Sequence, residues 1–262
     1  MTQVDGSARP RRRRGRRVLI TFLVLLLLIL VALFVVDRFG ASYAERVIGD
    51  RVAQQIADQQ ATAEKPKVTI EGVPFLTQVL AGEYQEIKIV VHNFSGPAGN
   101  GQDIKMPVLD IRAKDVKAPL DTLRSGNGDI VAGTVSSAGT IGYADLVDLI
   151  DQEGLKLSER DGKLVGSAPI EALGQTFNAS ATANIAVKDG VVTVTFADVT
   201  AEGIPDVPLT RTLLNNYTKQ LAFNLKVPAL PLGLKVQRVE PTADGLVVTA
   251  GANNVSLNSG GL

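Results

Sequence analysis

The chain has 262 residues, 45% hydrophobic and 21% charged, with no Cys, no Trp and one His. That balance describes a folded protein with an aliphatic interior. It excludes disulfide scaffolds, thiolate zinc centres and His-rich metal sites. The formal net charge of zero conceals a division: residues 1–17 hold seven Arg against one acid, Asp5, so the rest of the chain carries 20 basic and 26 acidic residues.

The arginine-rich arm, residues 1–17, runs directly into an apolar segment, residues 18–36. Val18 to Val36 contains one polar residue, Thr21. As a helix this stretch is about 28 Å long, close to the roughly 30 Å hydrocarbon core of a bilayer. A soluble helix is rarely apolar on every side. The basic arm therefore reads as a topology signal, not as a nucleic-acid site. Arginines are retained in the cytoplasm, which sets the N-terminus inside and residues 37–262 in the periplasm or outside the cell, on a single-pass plasma-membrane protein. A cleaved signal segment is the competing reading, and Ser42-Tyr43-Ala44 offers a small-x-small site. Such segments have apolar stretches of roughly 7–15 residues, so the longer run favours an uncleaved anchor.

Residues 37–65 read as an amphipathic helix and linker. Ala41, Ala44, Ile48, Val52 and Ile56 recur at spacings of three and four and share a face. That face packs on the domain or belongs to a stalk. Pro66 ends the polar linker, and residues 66–262 form the main domain. There the period changes to two. Ile87, Ile89 and Val91, then Leu109, Ile111 and Ala113, then Val192, Val194 and Phe196 alternate along three candidate strands. Asp189-Gly190, Asp244-Gly245 and Arg160-Asp161-Gly162-Lys163 have turn chemistry. Three short helices are expected: Pro74 to Ala81, Tyr143 to Gln152, and about Pro208 to Phe223. The result is a single α+β domain dominated by antiparallel sheet.

Catalytic chemistry is hard to place. His92 shares a strand with Lys88 and reads as a surface residue. Asp145, Asp148 and Asp151 are spaced by three, as a cation or acid–base site would be, but they also form the wet face of an amphipathic helix. No nucleophile elbow, dinucleotide fingerprint or phosphate loop is present. The reading is of a protein with no catalytic residues, no metal ligands and no cofactor.

What stands out is apolar. Gly72-Val73-Pro74-Phe75-Leu76-Thr77-Gln78-Val79-Leu80 is a hydrophobic turn and helix, and Val227 to Leu234 is a second greasy stretch punctuated by Pro228 and Pro231. The segment from Val68 to Gly82, with its Ile-x-Gly-x-Pro-Phe-Leu-Thr-Gln pattern, resembles the opening motif of the actinobacterial LmeA-like family, the lipomannan elongation factors. Leu230 to Val236 and Asp244 to Ala250 resemble its C-terminal part. The resemblance implies a phospholipid-binding envelope protein of tubular lipid-binding type, in which a curved antiparallel sheet wraps a long helix around an apolar tunnel. It also implies a link to lipomannan-type lipoglycan or envelope lipid metabolism, with phospholipid, the membrane and lipoglycan-synthesis proteins as partners.

On this reading the lipid contacts come from Val73, Phe75, Leu76, Leu80, Leu213, Leu214, Tyr217, Leu221 and Leu230, the largest apolar residues of the unusual segments. The alternative function is a scaffold or accessory subunit of an envelope glycosyltransferase complex with no lipid cargo of its own.

Overall fold

The computed structural model describes residues 13–97, 102–125, 128–150, 154–172, 175–188, 191–201, 223–225 and 234–257. A single helix, α1, runs from Arg13 to Asp58 without a break. Its 46 residues extend about 69 Å. The two halves differ in what surrounds them. Val18 to Val36 is exposed throughout, and its most apolar window has a mean hydropathy of 3.5. From Asp37 onward, one face is buried, through Ala41, Val52 and Ile56. Thr21, the polar member of the apolar run, donates its hydroxyl to the Arg17 carbonyl at 3.0 Å, so it makes no demand on solvent.

The strands divide between two antiparallel sheets. In the first, β1 (Lys67–Glu71), β2 (Glu83–Pro97), β3 (Asp103–Lys117), β4 (Val131–Ile141), β10 (Lys235–Thr242) and β11 (Gly245–Ser256) lie in the order β1-β2-β3-β4-β11-β10. In the second, β5 (Lys156–Arg160), β6 (Lys163–Ala172), β7 (Gln175–Lys188), β8 (Val191–Ala201) and β9 (Phe223–Leu225) follow in chain order. One hydrophobic core joins residues of α1 and of both sheets. The fold is α+β and strand-rich, as expected. The hairpin turns at Arg160–Lys163 and at Asp244-Gly245 close β5–β6 and β10–β11. Asp189-Gly190 lies outside the described residues.

Register defines the end of the first sheet that matters for the site. Glu83 pairs with Lys117, Lys117 with Val131, and Val131 with Ser256. Two short helices sit at this end: α2 (Phe75–Ala81), which leads into β2, and α3 (Leu120–Ser125), which follows β3. Gly82 closes α2 in the left-handed conformation, with φ 69°, and donates to the Gln78 and Val79 carbonyls. A Cβ there would stand 3.0 Å from Pro119, so only glycine lets α2 and the start of α3 meet. At the opposite end of β4, α4 (Tyr143–Ile150) packs Leu146 into the core and leans on β5. Sequence periodicity anticipates α2 and α4. It does not anticipate α3, which is six residues long and buries none of them. The expected helix near Pro208 to Phe223 falls almost wholly outside the described residues.

Candidate functional site

The second half of α1 lies over the first sheet, antiparallel to β1. Glu45 accepts the Ile70 amide at 2.9 Å, satisfying a donor on an edge strand. Gly49 permits the close approach one turn further on: a Cβ there would meet the Pro66 carbonyl at 3.2 Å. Nearer the apolar run, Asp37 is buried and its carboxylate accepts the Leu76 amide at 2.7 Å, while Arg38 donates to its other oxygen at 2.7 and 3.2 Å. The Leu76 amide and the Arg38 guanidinium hold its carboxyl below the ordinary carboxylate range, against the opposing effect of burial. The start of α2 is thereby tied to α1.

Between α1 and the sheet is a cavity of about 510 Å³, within the roughly 300–1,000 Å³ usual for small-molecule sites. Its roof is one side of α1: Tyr43, Ala44, Val47, Ile48, Arg51, Val52 and Gln55. Its floor is the inner face of the sheet, with Ile70 from β1, Tyr84, Ile87 and Ile89 from β2, and Ile111, Ala113 and Val116 from β3. Thr122 and Leu123 of α3, with Ala118, Ile130 and Leu257, complete the wall at the α2–α3 end of the sheet. Small residues on both surfaces, Ala44 above and Ala113 and Ala118 below, leave the room that larger side chains would fill. Among the described lining residues Arg51 alone is charged. It is exposed, as is Tyr43, so both belong to the mouth and not to the interior. Burial pushes the Tyr84 phenol pKa up, which keeps it neutral at any physiological pH.

The sequence-derived site residues lie elsewhere or beyond the described chain. Phe75 is 6% exposed and packs on Gly40 and on the Tyr84 ring, centroids 6.2 Å apart. Leu76 is half-buried beside Asp37. Val73, just before α2, and Leu80, on it, are exposed. None of these four lines the cavity. Leu213, Leu214, Tyr217, Leu221 and Leu230 lie outside the described residues.

Of the residues that do line it, Ala44, Ile48 and Val52 were visible in the apolar stripe of α1, and Ile87, Ile89, Ile111 and Ala113 in the alternation of β2 and β3; Thr122 and Leu123 of α3 were not. What marks them as a cavity wall is the unfilled volume between them, and that depends on how helix and sheet are spaced. Gln78 also escaped notice: buried, it donates to the Glu71 and Gly72 carbonyls and accepts the Gln85 amide, fastening the turn before α2 to the start of β2.

Acid–base and metal chemistry find little support in the geometry. His92 is exposed on β2. Asp145 stands 4.0 Å from Lys105, Asp148 is exposed, and Asp151 lies outside the described residues. Among the described residues no three His, Cys, Asp or Glu side chains converge.

A mainly apolar cavity roofed by an amphipathic helix, with its one charged lining residue among the described ones at the mouth, defines a class: modules that house apolar or amphiphilic ligands. The comparisons make the class specific. The profile of the LmeA-like phospholipid-binding family matches residues 35–251, most of the chain, and the chain belongs to that family. The match begins at the junction between the anchor-like segment and the packed half of α1, and it takes in every residue described above as lining the cavity except Leu257.

Two curated proteins, both named translation initiation factor IF-2 and both from strains of Prochlorococcus marinus, are 29% identical over 150 residues, 55% of this chain. The chain spans only 12% of the length of each, and so short a share assigns it no activity. No solved structure matches the chain significantly.

Proposed function

We propose that this protein is a membrane-anchored phospholipid-binding protein of the cell envelope, and that the cavity between α1 and the first sheet receives the acyl chains. The cavity itself is the observation that carries the reading. Most of its wall is aliphatic and makes no directional demand on a ligand, and each methylene buried there contributes about 0.8 kcal/mol. Arg51 at the mouth is suited to a lipid phosphate, since guanidinium groups bind phosphate oxygens in a bidentate fork. The residues act as a binding surface, not as a catalyst, in support of lipoglycan or envelope lipid metabolism.

The same helix supports the anchor reading over a cleaved signal. Cleavage after Ala44 would remove Asp37, Gly40 and Ala41, which respectively bind the α2 amide, seat Phe75 and join the core. Arginines at residues 9–17 set the N-terminus in the cytoplasm and the domain outside.

The test is retention of lipid by the full chain with Ala113→Trp. Ala113 is 4% exposed on the cavity floor, so an indole there occupies the space without touching the surface. Extraction and mass spectrometry should find phospholipid bound to the wild type and several-fold less on the variant, with the circular dichroism spectrum unchanged. Equal retention by a folded variant refutes the cavity as the lipid site.

A further inference from the structure

α2 carries an apolar face that the core does not use. Leu80 is 78% exposed, Pro74, Thr77 and Ala81 are exposed on the same side of the helix, and Val73, 67% exposed, stands just before its N-cap. The opposite side of α2 holds Phe75 and Gln78, which face Tyr84, Gln85 and the sheet. Exposed apolar surface grouped in this way marks a contact site.

The position of α2 along α1 identifies what it contacts. Asp37 follows Val36, the last residue of the exposed apolar run, and is bonded to the Leu76 amide. Phe75 packs against Gly40. The first turn of α2 is therefore level with residues 37–40. Beyond each surface of a hydrocarbon core lie roughly 5–8 Å of headgroups. Phe39, 74% exposed, is about 5 Å past Val36 along the axis, and Tyr43 about 10 Å. With seven residues α2 is about 10 Å long, so none of it is far from that layer. Tyr, with Trp, is enriched where a membrane meets water, as Tyr43 would be.

We propose that the outer face of α2, with Phe39, rests in the headgroup layer of the bilayer that the anchor crosses and that Tyr43 stands at the outer boundary of that layer, so that the cavity mouth opens onto that surface. The proposal rests on the anchor reading and adds to it a fixed orientation of the domain. The cavity lies at the correct end. Tyr43 borders both the interfacial surface and the mouth, and the α3 residue Leu123, 46% exposed, sits across from it at the same end of the sheet. A lipid would then pass between bilayer and cavity without crossing open water.

The chain has no Cys, so single cysteines can be introduced and labelled cleanly. Full-length protein carrying a nitrobenzoxadiazole label at Val73→Cys, Leu80→Cys, His92→Cys or Leu27→Cys is reconstituted in vesicles of phosphatidylcholine and phosphatidylglycerol containing spin-labelled lipid. Labels at residues 73 and 80 should be quenched several-fold more than the label at 92, which is exposed far along β2. If the label at 27 is quenched while those at 73 and 80 match 92, the docking surface is refuted and the anchor stands. If the label at 27 is itself unquenched, the anchor reading fails and the docking proposal with it.

A second measurement tests the consequence. The exposed pair Val73→Asp with Leu80→Asp should leave the fold intact and slow uptake of a fluorescent phospholipid from vesicles several-fold. An unchanged rate overturns the assignment of the mouth to the membrane surface.

Discussion

Phe75 and Leu80 lie five residues apart on one short helix and illustrate how differently two large apolar side chains can be used. Phe75 is enclosed by Gly40 and Tyr84, whereas Leu80 faces outward. Phe75→Ala should destabilise the protein by about 3–5 kcal/mol, the usual effect of emptying an aromatic site. Leu80→Ala should change stability by less than about 0.5 kcal/mol. Thermal unfolding of the two variants in the same detergent checks both values.

Asp37 adds a pH dependence. Its carboxyl is held below the ordinary range in the folded protein, so the unfolded chain binds the proton more readily. The contribution of its charge is complete above the ordinary carboxylate value and is lost as pH falls through the depressed folded value. The melting temperature of Asp37→Asn should accordingly lie below that of the wild type at neutral pH, and the gap should close in acid. A gap that stays constant with pH would show that the charge of Asp37 is not what ties α2 to α1.

Arg51 acts on the ligand side: Arg51→Gln should weaken phospholipid binding by about tenfold, the equivalent of one charge-assisted hydrogen bond. Binding of an uncharged diacyl lipid to that variant should be unchanged.

The central element is α1, an apolar run and an amphipathic roof in one uninterrupted helix. Both halves were legible in the sequence because each has its own signal, continuous hydrophobicity before Val36 and three–four spacing after Ala41. Their continuity was not legible, since the hydrophobic run ends at Val36, the stripe begins at Ala41, and neither signal covers residues 37–40. The strands at Ile87–Val91, Leu109–Ala113 and Val192–Phe196 were legible from alternation, and α4 from its stripe of Tyr143, Leu146, Leu149 and Ile150.

The division of the strands between two sheets was hidden, because alternation reports which face is dry and not which strand is the neighbour. The cavity was hidden for a related reason. Ala44 and Ala113 are ordinary as core residues, and become significant only when helix and sheet place them across a gap. The continuity of α1 also bears on processing. Protein isolated from membranes should retain residues 1–44 by intact mass, and a chain beginning at Glu45 should be less stable than one beginning at Asp37. Recovery of a fully stable protein beginning at Glu45 would remove the anchor from the account.

Taken whole, the molecule places a family-level phospholipid-binding fold directly beyond an apolar helix, with its cavity at the end nearer that helix. On the proposed topology, a reporter fused after Leu262 should be active outside the cytoplasm. The most direct test of the cavity is photo-crosslinking in the native membrane. A photoreactive amino acid at Ile111 faces the cavity, while one at the adjacent Arg112 points to the other face of β3, where Arg112 pairs with Asp110 and Glu86. Both positions are equally close to the membrane along the chain, so lipid that merely surrounds the anchor cannot distinguish them. Irradiation should give a phospholipid adduct by mass at Ile111 and none at Arg112. Adducts at neither position, or equally at both, from a protein shown to be folded would contradict the claim that this cavity holds phospholipid.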